Sequence, residues 1–151
     1  MSVTPLLFSF RGRINRAKYW LITILSILLV GVVVFAAIML MSSQAAGTII
    51  LAIVLLGILV IGVVWSGLAV GAKRLHDRDK SAWWLLLFYV APGVLEGIGD
   101  RLDAPVAYAV YLLEFGIWLW AFIELGVLRG TNGPNEYGPD PLQSPSATQP
   151  A

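Results

Sequence analysis

No cysteine occurs in the 151 residues, histidine occurs once, at His76, and no Asp, Glu, Lys or Arg falls between Tyr19 and Ala72. Without thiols the chain has no disulfides, no thiolate metal sites and no redox dithiols. A structural zinc site takes four ligands and a catalytic one usually three, so a site here would rest mostly on carboxylates. No metal and no cofactor is expected. Charge is scarce throughout: 13% of residues are charged, against about a quarter in soluble domains. Hydrophobic residues make up 58%, and the mean hydropathy is +0.82. The formal charge of +1 says little as a total; its placement matters. No nucleic-acid partner is expected.

What is present is a 54-residue uncharged run with basic residues at both ends. As one helix it would be about 80 Å long at about 1.5 Å per residue, far more than the roughly 30 Å of a bilayer's hydrocarbon core. It must therefore fold back on itself within lipid. Trp20 to Met41, 22 residues, is too long for a secretory signal's apolar region of about 7–15 residues and reads as a retained span. Ser42-Ser43-Gln44 forms the turn, and a second span covers about 48–72, with Gly67 and Gly71 as a small-xxx-small pair.

A third apolar segment, about 82–98, is short: Pro92-Gly93 interrupts the uncharged residues between Lys80 and Glu96. It fits either a tilted span or a re-entrant segment. A fourth span, about 104–128, opens on Asp103 and Pro105. The expected organisation is a basic amino-terminal segment (1–19), a four-span domain (20–128), a Gly/Pro/Asn-rich motif (129–141) and a disordered tail (142–151). This is an all-α integral membrane four-helix bundle with cytoplasmic polar loops.

The placement of positive charge orients it. With four spans, nine of the ten Lys and Arg face the cytoplasm and only Arg101 lies outside. A three-span arrangement with a re-entrant third segment scores equally, because Arg101 and Arg129 trade sides. The amino terminus is cytoplasmic in both. Four spans are favoured because Tyr19-Trp20 and Trp83-Trp84 then share one interfacial aromatic belt.

Three polar segments punctuate the apolar background: Phe10-Arg11-Gly12-Arg13-Ile14-Asn15-Arg16-Ala17-Lys18-Tyr19-Trp20, then Lys73-Arg74-Leu75-His76-Asp77-Arg78-Asp79-Lys80-Ser81-Ala82-Trp83-Trp84, then 130–141, GTNGPNEYGPDP. Together they closely resemble the family of small bacterial inner-membrane proteins known as domain of unknown function 805. That family is marked by F-x-G-R-x-x-R-x-x-[YF]-W, by R-L-H-D-x-x-[RK]-S-[GA], and by G-x-x-G-x-N-x-Y-G-x-D-P. The match runs from Phe10 to Pro141 with all motifs in order; Ala82 stands where glycine is commoner. The resemblance implies a four-helix protein of the bacterial inner membrane and brings no reaction with it.

Read physically, Arg11, Arg13, Arg16 and Lys18 either hold the amino terminus inside on anionic headgroups, at about 1 kcal/mol each, or build a phosphate- or partner-binding site. In the second motif, Asp77 and Asp79 are expected to neutralise neighbouring Arg and Lys, among them Arg74 and Arg78. His76 is expected to bond backbone or tail, or else to respond to protons near neutral pH. Ser81 is a candidate N-cap. Adjacent helical residues point about 100° apart, so His76 and Asp77 are not expected to act as a dyad. The third motif is expected to fold back on the other two, with Glu136 and Asp140 facing Arg or Lys, Tyr137 near the aromatic belt and Asn135 close to Arg78.

Glu114 and Glu124 are the intramembrane carboxylates, and such groups are functional candidates by default. Glu124 lies within reach of Lys73, Arg74 or Arg129, or of Ser66 or Thr23. Glu114 sits near mid-span with no cation at its depth, and is expected to keep its proton unless it finds a partner. The stripe Tyr108, Tyr111, Phe115, Trp118, Phe122 reads as packing or lipid-facing surface. The expected role is non-enzymatic: binding anionic lipid headgroups or a protein partner, with a homo-oligomer plausible from Gly67/Gly71 and Gly93/Gly97. The alternative is a small proton-coupled carrier using Glu114. A lipid-modifying enzyme ranks last, because no nucleophile–base–orienter set is legible.

Overall fold

A computed structural model describes residues 3–43 and 45–143. The helices are α1 (Val3–Phe8), α2 (Arg16–Ser42), α3 (Ala46–Asp77), α4 (Ala91–Gly99) and α5 (Val106–Phe122), with π-helical turns at Leu86–Val90 and Ile123–Val127. No strand occurs among the described residues; one isolated bridge joins Asn135 and Gly138. Of the expected disordered tail, only Leu142 and Gln143 fall within the described residues; Gln44 of the first turn lies outside them.

Two compact units share the chain, and the division falls inside α2 and α3. The first holds residues up to Ser9 together with Trp20–Val70. Its helices carry Leu21, Ile24, Ile27, Leu28, Ile53, Ile58 and Ile61 more than half exposed. Apolar surface on that scale is stable only in an apolar medium. At the turn, hydroxyls take up the orphan carbonyls that end a helix: Ser42 Oγ donates to Met39 O at 2.7 Å and Ser43 Oγ to Leu40 O at 2.8 Å.

The second unit holds Phe10–Tyr19 and the chain from Gly71 onward. Here α4 and its π turn pack against α5 around an aromatic cluster in which the Trp84 and Trp120 ring centroids lie 5.3 Å apart and those of Phe88 and Trp120 5.6 Å apart. Gly71 lets α3 approach the Leu85 side chain, which a Cβ there would meet at 3.0 Å. Gly67, Gly93 and Gly97 face open space.

Among the described residues three helices are long and apolar enough to cross a membrane: Arg16–Ser42, Ala46–Asp77 and Val106–Val127. The third apolar segment is the shorter Leu86–Gly99. Its 14 residues reach only about 21 Å. The expected interruption at Pro92 does not break it. Proline lacks an N–H and clashes with the carbonyl four residues back. The preceding π turn widens the ladder, with Ala91 N–H bonding Leu86 O, and the chain continues into α4.

Candidate functional site

α3 ends in a cluster of charge that is inside the protein: Lys73, Arg74, His76 and Asp77 are all buried. Asp79 stops the helix in the left-handed conformation (φ 58°). Lys80 N–H reaches back to Leu75 O at 2.9 Å and Asp79 N–H to His76 O at 3.1 Å, the bonding pattern of a Schellman cap. Aspartate is one of the few residues besides glycine that adopts this backbone readily.

Arg13 enters from the amino-terminal segment and joins the three motifs. Its Nε and Nη2 donate to Asp77 Oδ1 at 3.2 and 3.1 Å. Nη1 donates to Gly133 O at 2.8 Å and Gly138 O at 3.2 Å. Nη2 also donates to Thr131 O at 2.8 Å and to Thr131 Oγ1 at 3.1 Å. The fork is thereby engaged inside the protein, which removes Arg13 from any phosphate site built on Arg11, Arg13 and Arg16. Arg11, Arg16 and Lys18 are exposed.

Asp77 answers Arg13 on one oxygen and Arg74 on the other. Arg74 also donates from Nε to Leu125 O at 2.8 Å and from Nη2 to Leu128 O. Arg16 Nη1 reaches Val127 O at 3.2 Å, and Arg78 Nη1 reaches Arg129 O at 2.6 Å. Cations thus cap the carbonyl end of the α5 rod, where partial negative charge gathers. Gly130 is required by proximity: a Cβ there would lie 2.0 Å from Asp77 Oδ2.

The third motif closes over this core. Thr131 N–H donates to Asp77 O at 2.8 Å, and Asn135 Nδ2 donates to His76 O at 2.8 Å and to Thr131 Oγ1 at 3.0 Å. Tyr137 stacks flat on His76, centroids 3.9 Å apart and planes within 4°, rather than joining the aromatic belt. His76 Nδ1 lies 3.2 Å from Gly12 O. A carbonyl can only accept, so Nδ1 carries the proton in this contact.

Asp140 accepts Leu142 N–H at 2.9 Å and Gly133 N–H at 3.1 Å instead of an Arg or Lys side chain. Those two backbone donors, with help from the charges of Arg13 and Arg129, hold its carboxyl below the ordinary range. Folding therefore favours the ionised form, and acidification through the lowered value removes that contribution. Glu136 is exposed. Ser81 Oγ accepts Trp83 N–H at 3.4 Å as the chain turns toward the next helix.

The two intramembrane candidates separate. Glu124 is buried, and its Oε1 meets Arg78 Nε at 3.0 Å and Lys80 Nζ at 3.1 Å, neither of them among its expected partners. The π turn at Ile123–Val127 carries Glu124 to the charged loop. Glu114 is half-buried, stands apart from the cluster, and accepts the Trp118 indole N–H at 3.4 Å. His76 and Asp77 do not bond one another, and among the described residues no group of three His, Cys, Asp or Glu gathers to hold a metal.

The sequence did not single out Gly130, Thr131 or the carbonyls of Leu125, Val127, Leu128 and Arg129. The only available signal was the Gly-Thr pair directly after the span.

The model of a protein family of unknown function, DUF805, matches residues 7–139. The uncharacterized protein YiiR of Escherichia coli strain K12 is 33% identical over 141 residues, covering 93% of this chain and 90% of that protein. The inner membrane protein YhaH of the same strain is 35% identical over 136 residues, covering 90% and 89%. The inner membrane protein YhaI is 26% identical over 141 residues, covering 93% and 92%. No solved structure matches this chain.

Proposed function

We propose, since this chain belongs to the DUF805 family, that it is a non-enzymatic, four-span component of the bacterial inner membrane that binds anionic lipid headgroups. Both termini lie on the cytoplasmic side, and Leu86–Gly99 crosses a locally thinned bilayer as the third helix. One observation carries the reading: of the four cations in and just ahead of the first turn of α2, only Arg13 turns inward, while Arg11, Arg16 and Lys18 stay exposed at the head of a spanning helix. Exposed cations at that level attract anionic lipid at about 1 kcal/mol each.

The topology has a direct test, because the chain has no cysteine of its own. Single cysteines at Arg11, Arg101 and Leu142 are expected to react with a membrane-impermeant maleimide in spheroplasts only at position 101. Labelling at 142 without 101 would replace four spans by three. For binding, the Arg11→Gln/Lys18→Gln protein is expected to lose severalfold of the phosphatidylglycerol and cardiolipin that co-purify with the natural chain. An unchanged ratio of anionic to zwitterionic lipid would refute the reading.

A further inference from the structure

The second unit contains two cavities that meet the start of α2 about one turn apart. The polar one, about 210 Å3, is lined by Asn15, Arg16, Asp77, Arg129, Thr131 and Asp140, among others. The apolar one, about 160 Å3, is lined by Tyr19, Tyr89, Trp118, Ala121, Phe122 and Leu125. Arg16 and Tyr19 are three residues apart on α2, while Leu125 lies in the π turn that follows α5 and Arg129 in the chain just beyond it. The Arg16–Val127 bond ties the two edges together. The apolar cavity therefore lies toward the span and the polar one toward the loops.

Charge in the polar cavity favours an anion. Asp77 already answers Arg13 and Arg74, and Asp140 accepts two backbone N–H groups. Arg129 is exposed and its side chain forms no hydrogen bond or ion pair among the described residues, while Arg16 donates only to Val127 O. Two guanidinium groups thus retain donors at the rim, and guanidinium matches phosphate oxygens with paired N–H bonds. The volume is several times the roughly 30 Å3 of one water. Below it, tyrosine, tryptophan and phenylalanine offer the amphipathic surface that suits the glycerol and upper chain region of a lipid.

We propose that these two cavities form one site for a single phospholipid, its phosphate between Arg16 and Arg129 and the start of its acyl chain against Tyr19, Trp118 and Phe122. This rests on the headgroup-binding reading and narrows it from a diffuse basic surface to a discrete site. Asn15, whose Oδ1 accepts Lys18 N–H, stands beside the phosphate with its Nδ2 as a further donor. Charge selects against headgroups that carry their own cation.

The test titrates the full chain in neutral detergent with dihexanoyl phosphatidylglycerol, dihexanoyl phosphatidylcholine and inorganic phosphate. Saturable binding of the phosphatidylglycerol is expected, at least tenfold tighter than either other probe. Arg129→Gln, an exposed change expected to leave folding intact, should weaken it at least tenfold, and Lys18→Gln, outside both cavities, less than twofold. Phosphate bound as tightly as the lipid would overturn the lipid assignment. Equal losses for the two variants would overturn the discrete site while leaving diffuse headgroup binding in place. No saturable binding to the natural chain would overturn the proposal outright.

Discussion

Arg13→Gln is expected to lower the stability of the second unit by about 3–5 kcal/mol, the range for removing one partner of a buried ion pair. The side chain is almost wholly buried, at 1% exposure against 3% for Asp77. Its loss leaves Asp77 with Arg74 alone, strips the Gly133 and Thr131 carbonyls of this donor and leaves Gly138 O with Asn135 N–H alone. Arg13→Lys should rescue little of this. An ammonium is a point charge with three donors and cannot span a carboxylate and three carbonyls at once. Thermal unfolding in detergent measures the loss, with Asp77→Asn and the double variant completing a cycle. The two single changes should be strongly non-additive, because they dismantle one network. A loss under about 1 kcal/mol for Arg13→Gln would mean that the carbonyls find water and that the three motifs hold together without this arginine.

Gly130→Ala should be nearly as damaging although it adds one methyl group. The added carbon would sit 2.0 Å from Asp77 Oδ2 and 2.5 Å from its Cγ, distances no packing tolerates. Relief requires Asp77 to retreat from Arg13 and Arg74, or Thr131 N–H to give up Asp77 O. Overpacking alone costs about 1–3 kcal/mol, and the ion-pair disruption adds to it. A sharp drop in folded yield and melting temperature is therefore expected. Gly133→Ala makes a useful comparison, since a Cβ there meets nothing within 4 Å and the difficulty is backbone conformation alone, at φ +76°. Equal melting temperatures for Gly130→Ala and the natural chain would show that Asp77 is not held where the arginines place it.

Both expectations concern residues whose importance was only partly legible. Arg13 and Asp77 stood out in the sequence as members of polar motifs in an apolar chain. Nothing local separated Arg13, which turns inward, from Arg11, which stays at the surface two residues away. Glu124 was recognisable as an intramembrane carboxylate in need of a cation. Its partners Arg78 and Lys80 depend on a π turn that propensity does not announce. Tyr137 had the composition of a belt residue and instead covers the single histidine.

By itself the sequence determined the medium and the long helices. Spans expected at about 20–41, 48–72 and 104–128 correspond to Arg16–Ser42, Ala46–Asp77 and Val106–Val127. Transfer into lipid depends on composition summed over a short window, so the residues of that window are enough whatever their tertiary partners. Tertiary structure alone decided which charges meet. Arg13 finds Asp77 across 64 residues and Gly138 across 125. Ion pairing depends on distance in space and on displaced water, and neither quantity is written along the chain.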